Sequence, residues 1–137
     1  MTIIEAEKKV LDDFEIFDGD WEMIYQQIID EGKKLPSLPD SYKNELYKIK
    51  GCQSSVWLNS ECKNGIMEYN ADSDSVFVKG LISLLVRILN NQKPADIVNA
   101  DLGFIDKMGL RHHLAQTRST GLSAMIARMK AEALQYR

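Results

Sequence analysis

Ser55-Val56-Trp57-Leu58-Asn59-Ser60-Glu61-Cys62-Lys63-Asn64-Gly65-Ile66-Met67-Glu68-Tyr69-Asn70-Ala71-Asp72 reads as one antiparallel hairpin. Asn64-Gly65 is the turn signal, because a two-residue type I′ turn needs positive φ at both positions and these residues tolerate it. The register then follows by counting outward. Cys62/Met67, Ser60/Tyr69, Leu58/Ala71 and Val56/Ser73 share one face, and Lys63/Ile66, Glu61/Glu68, Asn59/Asn70 and Trp57/Asp72 share the other. The first face is largely apolar and the second mostly polar, as a sheet covered on one side requires. Glu61 opposite Glu68 is mildly unfavourable and points to solvent there. Trp57 is the exception on the polar face. Cys62, beside Met67 on the apolar face, reads as a packing residue.

The layer that covers the apolar face comes next in the chain. Val76–Leu89 is apolar almost all round, the pattern of a helix buried on most sides. Asp72-Ser73-Asp74-Ser75 before it is rich in helix-capping side chains, with Asp74 the expected N-cap. Pro94 suits the first turn of a short helix over 94–99, and 104–108 is another short helical piece. Ser119 or Thr120 is expected to cap a last helix whose Leu122, Met125, Ile126, Met129 and Ala133 form one stripe.

Upstream, Thr2 followed by Glu5 is a capping box, and the apolar spacing predicts a helix over 3–16. Asp20 caps a second helix with Trp21, Tyr25, Ile28 and Ile29 on one stripe, Gly32 at its C′ position and Lys33-Lys34 at its end. Leu35-Pro36-Ser37-Leu38-Pro39-Asp40 is an extended connector. Glu45 to Ile49 is a short third strand. The expectation is α+β: a small antiparallel three-stranded sheet with helices packed mainly on one face, as a single domain over 1–137.

Composition narrows the function classes. The 137 residues carry a net charge of −3, with 45% apolar and 27% charged residues. No concentrated basic surface is expected, which argues against nucleic-acid or acidic-membrane binding. The first nine residues lack the apolar run of a secretory signal, and 76–89, interrupted by Lys79 and Arg87, is too short to span a bilayer. Two cysteines do not make a disulfide framework, and the reducing cytoplasm is the expected compartment.

The remaining chemistry sits in Lys50-Gly51-Cys52-Gln53-Ser54, which links the short strand to the hairpin. Glycine supplies backbone freedom there, so Cys52 falls on a turn at one end of the sheet rather than in the core. Thiols in such turns are the ones that react. Cys52 and Cys62 lack the C-x-x-C spacing of a redox pair. His112 and His113 are adjacent, so on a helix they diverge, and surface or capping roles fit them better than a metal site.

Residues 51–58, Gly-Cys-Gln-Ser-Ser-Val-Trp-Leu, resemble the motif of the SufE-type (SufE/CsdE) sulfur-acceptor proteins of iron–sulfur cluster assembly. Further blocks agree in order: Trp21…Tyr25…Ile28-Ile29…Gly32…Leu35-Pro36…Leu38-Pro39; Asp72-Ser73-Asp74 with Val78-Lys79-Gly80-Leu81-Ile82; and Pro94…Asp96-Ile97-Val98, then His113-Leu114…Arg118-Ser119…Gly121-Leu122. Ser55 departs from the pattern, standing where a longer polar residue is expected. The resemblance implies a SufE/IscU-like fold and a carrier rather than an enzyme. Cys52 would receive persulfide sulfur from a PLP-dependent, SufS-type cysteine desulfurase, stimulate it, and pass the sulfur to a SufBCD-type scaffold complex. The PLP belongs to the partner, and the chain itself is expected to hold no cofactor or metal. Gly51, Gln53, Ser54, Trp57, Asp74 and Arg118 are the loop or partner-facing residues, with Arg118 either fixing the loop before the last helix or meeting the partner. Lys48, Lys50 or Arg118 could raise the thiolate fraction of Cys52. A monomer or weak homodimer is expected. A thiol-independent activator, an iron–sulfur scaffold of the related fold and an acceptor for another sulfur pathway are the alternatives.

Overall fold

The computed structural model describes residues 1–137. Helix α1 spans Ile3–Glu15 and opens on both arms of the capping box: Glu5 N–H donates to Thr2 Oγ1 and Thr2 N–H to Glu5 Oε1. Helix α2 spans Trp21–Lys33, with the Asp20 carboxylate accepting from the amides of Glu22 and Met23. Strands β1 (Val56–Lys63) and β2 (Ile66–Ser73) pair antiparallel in the register counted from Asn64-Gly65, all eight pairs included. Both turn residues have positive φ, 53° and 80°. Val56, Leu58, Met67, Tyr69 and Ala71 are buried on the inner face. Opposite, Lys63 Nζ sits between Glu61 (3.1 Å) and Glu68 (3.7 Å), which relieves that like-charge pair.

Helix α3 (Val76–Leu89) is the centre of the core, with eleven of its fourteen residues buried. At about 1.5–3 kcal/mol for each large apolar side chain withdrawn from water, this helix contributes more burial than any other element. It packs on the inner sheet face and along α2. Where α2 and α3 cross, Gly32 lies inside the last turn of α2 and not at the predicted C′ position. A Cβ on Gly32 would stand 2.7 Å from Gly80 N, and one on Gly80 would run into the Ile28 carbonyl. The glycine is required by backbone approach, not by a helix stop. Short helices α4 (Pro94–Val98), α5 (Phe104–Lys107) and α6 (Leu110–His113) lead to α7 (Gln116–Leu134). No helix is long and apolar enough to cross a membrane.

Three further expectations are corrected. The sheet has two strands. The segment expected as a third makes a single bridge, Lys48 with Trp57, through Ile49 N–H to Val56 O (2.8 Å) and Leu58 N–H to Tyr47 O (2.9 Å). Asn44 ends it: its carbonyl accepts from Tyr47 and Lys48 and its side chain from Leu46, so local turn bonds take the amides a strand would use. The cap of α3 is Ser75, not Asp74, with Ser75 Oγ accepting from Val78 N–H. Helix α7 begins at Gln116 rather than at Ser119 or Thr120, because its polar first turns extend beyond the core stripe.

The outer edge of β2 is closed by Asn90–Gln92. Asn90 accepts Tyr69 N–H at 2.6 Å, Asn91 N–H donates to Met67 O, and Met67 N–H donates to Gln92 O. The polar face is covered at one end as well. Asp72, opposite Trp57, is buried beneath the connector, where it accepts Leu38 N–H and pairs with Lys79 Nζ (3.2 Å) and Lys43 Nζ (3.4 Å).

Candidate functional site

The Cys52 loop is tied at both ends and free between them. Its upstream end is the Tyr47–Ile49 bridge. At its downstream end Ser55 N–H donates to Asp74 Oδ1 (3.0 Å), and Ser55 O accepts from Asp74 N–H (3.2 Å) and Ser73 Oγ (2.8 Å). Beyond the turn at Lys50-Gly51, residues 50–54 make no close backbone-to-backbone hydrogen bond. Gly51 turns the loop at φ +92°, and a Cβ there would also press on Ala124 of α7 at 3.3 Å.

Cys52 is half-buried, its side chain turned inward onto α7 rather than out from the loop tip. The Sγ–H donates to the Gly121 carbonyl at 3.5 Å. Gly121 forms the seat, and a Cβ there would stand 3.6 Å from Sγ, at ordinary contact distance. The thiol faces a small cleft of about 100 Å³. Cys52, Gln53 and Ser54 form one wall; Val78 of α3 and Thr117, Arg118, Gly121 and Met125 of α7 form the other.

Burial pushes the Cys52 thiol above its ordinary pKa. The Gly121 carbonyl acts in the same direction, because it can pair only with S–H. No cation offsets this. Lys48 pairs with Glu45, and Lys50 is exposed to solvent. Arg118 shares the cleft, but lays its guanidinium on Phe77 (4.6 Å to the ring centroid) and reaches Tyr25 Oη at 3.5 Å. Phe77 and Tyr25 themselves stack at 4.2 Å. The resting site therefore holds a protonated, sheltered sulfur.

Of the residues singled out in the sequence, Cys52, Gln53, Ser54 and Arg118 meet at this cleft, with Gly51 shaping the turn. Asp74 sits behind it as the clamp on Ser55. Trp57 lies outside, half-buried, with Lys43 Nζ 5.8 Å from its ring centroid. Cys62 stands near the far end of β1, packed against the core, and both thiols are free. His113 stacks on Trp21 at 4.5 Å. No group of three or more His, Cys, Asp or Glu side chains gathers into a possible metal site. Sequence reasoning missed the floor of the cleft, Val78 and Met125, and the aromatic seat of Arg118. The one available signal was Gly121, a glycine inside a helix where alanine would be more stable.

The family model for SufE, the Fe-S metabolism associated domain, matches residues 8–133. The solution structure of a hypothetical protein from Thermus thermophilus superimposes with a TM-score of 0.75. The match covers 95% of this chain and 94% of that one at 22% sequence identity, a likeness of fold.

Proposed function

The chain belongs to the SufE family, whose domain is associated with Fe–S metabolism, and from that premise we propose that it is a sulfur carrier with Cys52 as the acceptor. The donor is a PLP-dependent cysteine desulfurase of the SufS type, which brings its own PLP. The Cys52 thiolate attacks the outer sulfur of the donor persulfide. A new bond forms between Sγ and that sulfur, the donor's S–S bond breaks, and the donor cysteine leaves as its thiolate. The proton of Cys52 is lost before attack, and nothing is oxidised or reduced overall. The persulfide then passes to a SufBCD-type scaffold complex, and docking of the carrier stimulates the desulfurase.

The observation that carries this reading is the combination of a five-residue loop with little backbone bonding beyond its Lys50-Gly51 turn and a single thiol tie to Gly121. Such a loop swings outward without unfolding the sheet or helices. Inward, the sulfur rests in a cleft that shields it from other thiols. Because the resting thiol is half-buried and its pKa is raised, activation belongs to the outward, partner-bound state. The cytoplasm is the compartment in which this chemistry is proposed.

Intact mass spectrometry after incubation with a cysteine desulfurase and cysteine tests the proposal. The expected gain is one sulfur, about 32 Da, on Cys52 and removable by a reductant, as an exchangeable sulfur–sulfur bond requires. Sulfur on Cys62 alone overturns it. Undiminished stimulation of sulfur release and cluster assembly by Cys52→Ser would favour a thiol-independent activator instead.

A further inference from the structure

Arg128 directs its guanidinium at bare backbone. It lies two turns beyond Gly121 on α7, on the same face of the helix. Its Nη1 donates to Lys48 O (3.1 Å), its Nη2 to Leu46 O (3.3 Å), and its Nε to Glu132 Oε1 (3.2 Å). The two carbonyls are the ones the hairpin leaves unpaired. Tyr47 O and Ile49 N–H face β1 and are satisfied there. By alternation, Leu46 O and Lys48 O face away from it, where a further strand would bind. The Arg128 fork takes that strand's place, and Glu132 holds it in position.

We propose that Arg128 is a positioning residue for Cys52. It pins the stem of the cysteine loop to the helix whose Gly121 receives the thiol. The stem is otherwise held by two backbone bonds, Ile49 to Val56 and Leu58 to Tyr47, and by the buried side chain of Ile49. With the fork in place, α7 sets the distance between stem and thiol seat, and the inward position of Cys52 is the one that fits. Without it, the 46–48 segment loses its anchor to α7 and frays up to the buried Ile49, and Cys52 leaves its seat more often. The inference rests on the carrier reading only for its biological meaning. The placement of the thiol is a property of the free protein.

The test is native-state alkylation of the full chain by iodoacetamide, with Cys52 and Cys62 followed separately by mass spectrometry in the same sample. Arg128→Ala is expected to raise the Cys52 rate by about tenfold, the scale of losing hydrogen bonds to a charged group, and to leave Cys62 unchanged. Arg128→Lys, which keeps the charge and one donor, should fall between the two. Amide exchange in this milder variant should quicken at Ile49 and Leu58 but not at Met67 or Tyr69 of β2. An equal rise at both cysteines, or an unchanged Cys52 rate with normal exchange at Ile49, overturns the proposal. None of these readouts involves sulfur transfer, so a failure here is distinct from a failure of Cys52 to accept sulfur from a desulfurase.

Discussion

The Cys52 thiol and the Gly121 carbonyl meet at 3.5 Å although 69 positions separate them in the chain. The contact joins the loop that ends the sheet to the second turn of the last helix. The seat leaves room for a methyl at 121 but not for a branched side chain, and this separates two substitutions sharply. Gly121→Ala adds a methyl at ordinary contact distance, 3.6 Å from Sγ. It should stabilise the protein by about 0.5–1 kcal/mol, the usual gain on replacing glycine within a helix, and leave Cys52 reactivity nearly unchanged. Gly121→Val adds branches that occupy the seat itself, so Cys52 should alkylate faster under native conditions. Chemical denaturation and thiol kinetics on the two variants check both statements.

The protonated resting thiol has a pH signature. Burial raises the Cys52 pKa in the folded state, so the associated stability is fully present below the unfolded value, about 8.5, and is lost as pH rises through the folded one. The pH–rate profile for alkylation of native Cys52 should have its midpoint above that of the same residue in urea. A native midpoint at or below the unfolded one would contradict the placement of the thiol.

Asp72 behaves in the opposite sense. Burial alone would raise its pKa, but hydrogen bonds from Ser73, Lys79 and Leu38 and the Lys79 charge outweigh that and hold it below the ordinary carboxylate value. Its contribution is complete above the unfolded value, near 3.9, and disappears as pH falls through the folded one. Asp72→Asn should cost about 1.5–3 kcal/mol near neutrality, the range for hydrogen bonds to a charged group. It should also flatten the decline of Tm below about pH 4, where the carboxylate would otherwise take up its proton. Thermal melts of both proteins from neutral to acid pH measure the two effects together.

Gly80 offers the clearest packing test. Its α-carbon lies against the Ile28 backbone, which is held by its own helix and cannot yield as a side-chain tip would. Gly80→Ala should therefore destabilise the chain despite alanine's better helix propensity, by about 1–3 kcal/mol for an overpacked contact. Urea titration gives the value. A gain in stability would mean that α2 and α3 do not approach as described.

Elements governed by near neighbours were legible in the chain. Helix α3 has its predicted limits, the Thr2–Glu5 box closes on both sides, and the hairpin register follows from Asn64-Gly65 alone. Each rests on bonds between residues a few positions apart, or on a period that burial imposes directly. The errors fell where two local solutions competed. Glu45 to Ile49 had the alternation of a strand, but Asn44 offered a turn that used the same amides. Asp74 and Ser75 were both fit to cap α3, and the distant amide of Ser55 took Asp74.

Local pattern was enough to specify a helix-covered hairpin with one thiol on a glycine-preceded turn, and the resemblance of its motifs named the family that the match over 8–133 shows. The direction in which that thiol faces came from packing alone. A cysteine on a turn can point to solvent or to the protein with equal local cost. The choice is made by what lies beneath it, and here that is Gly121, Val78 and Met125, brought from two helices that follow the hairpin in the chain. Spacing within 50–58 holds no information about them. The floor of the cleft, the raised pKa of the thiol and the clamp of Arg128 on the loop stem all arise from contacts between residues far apart in the chain, where neighbouring positions exert no constraint.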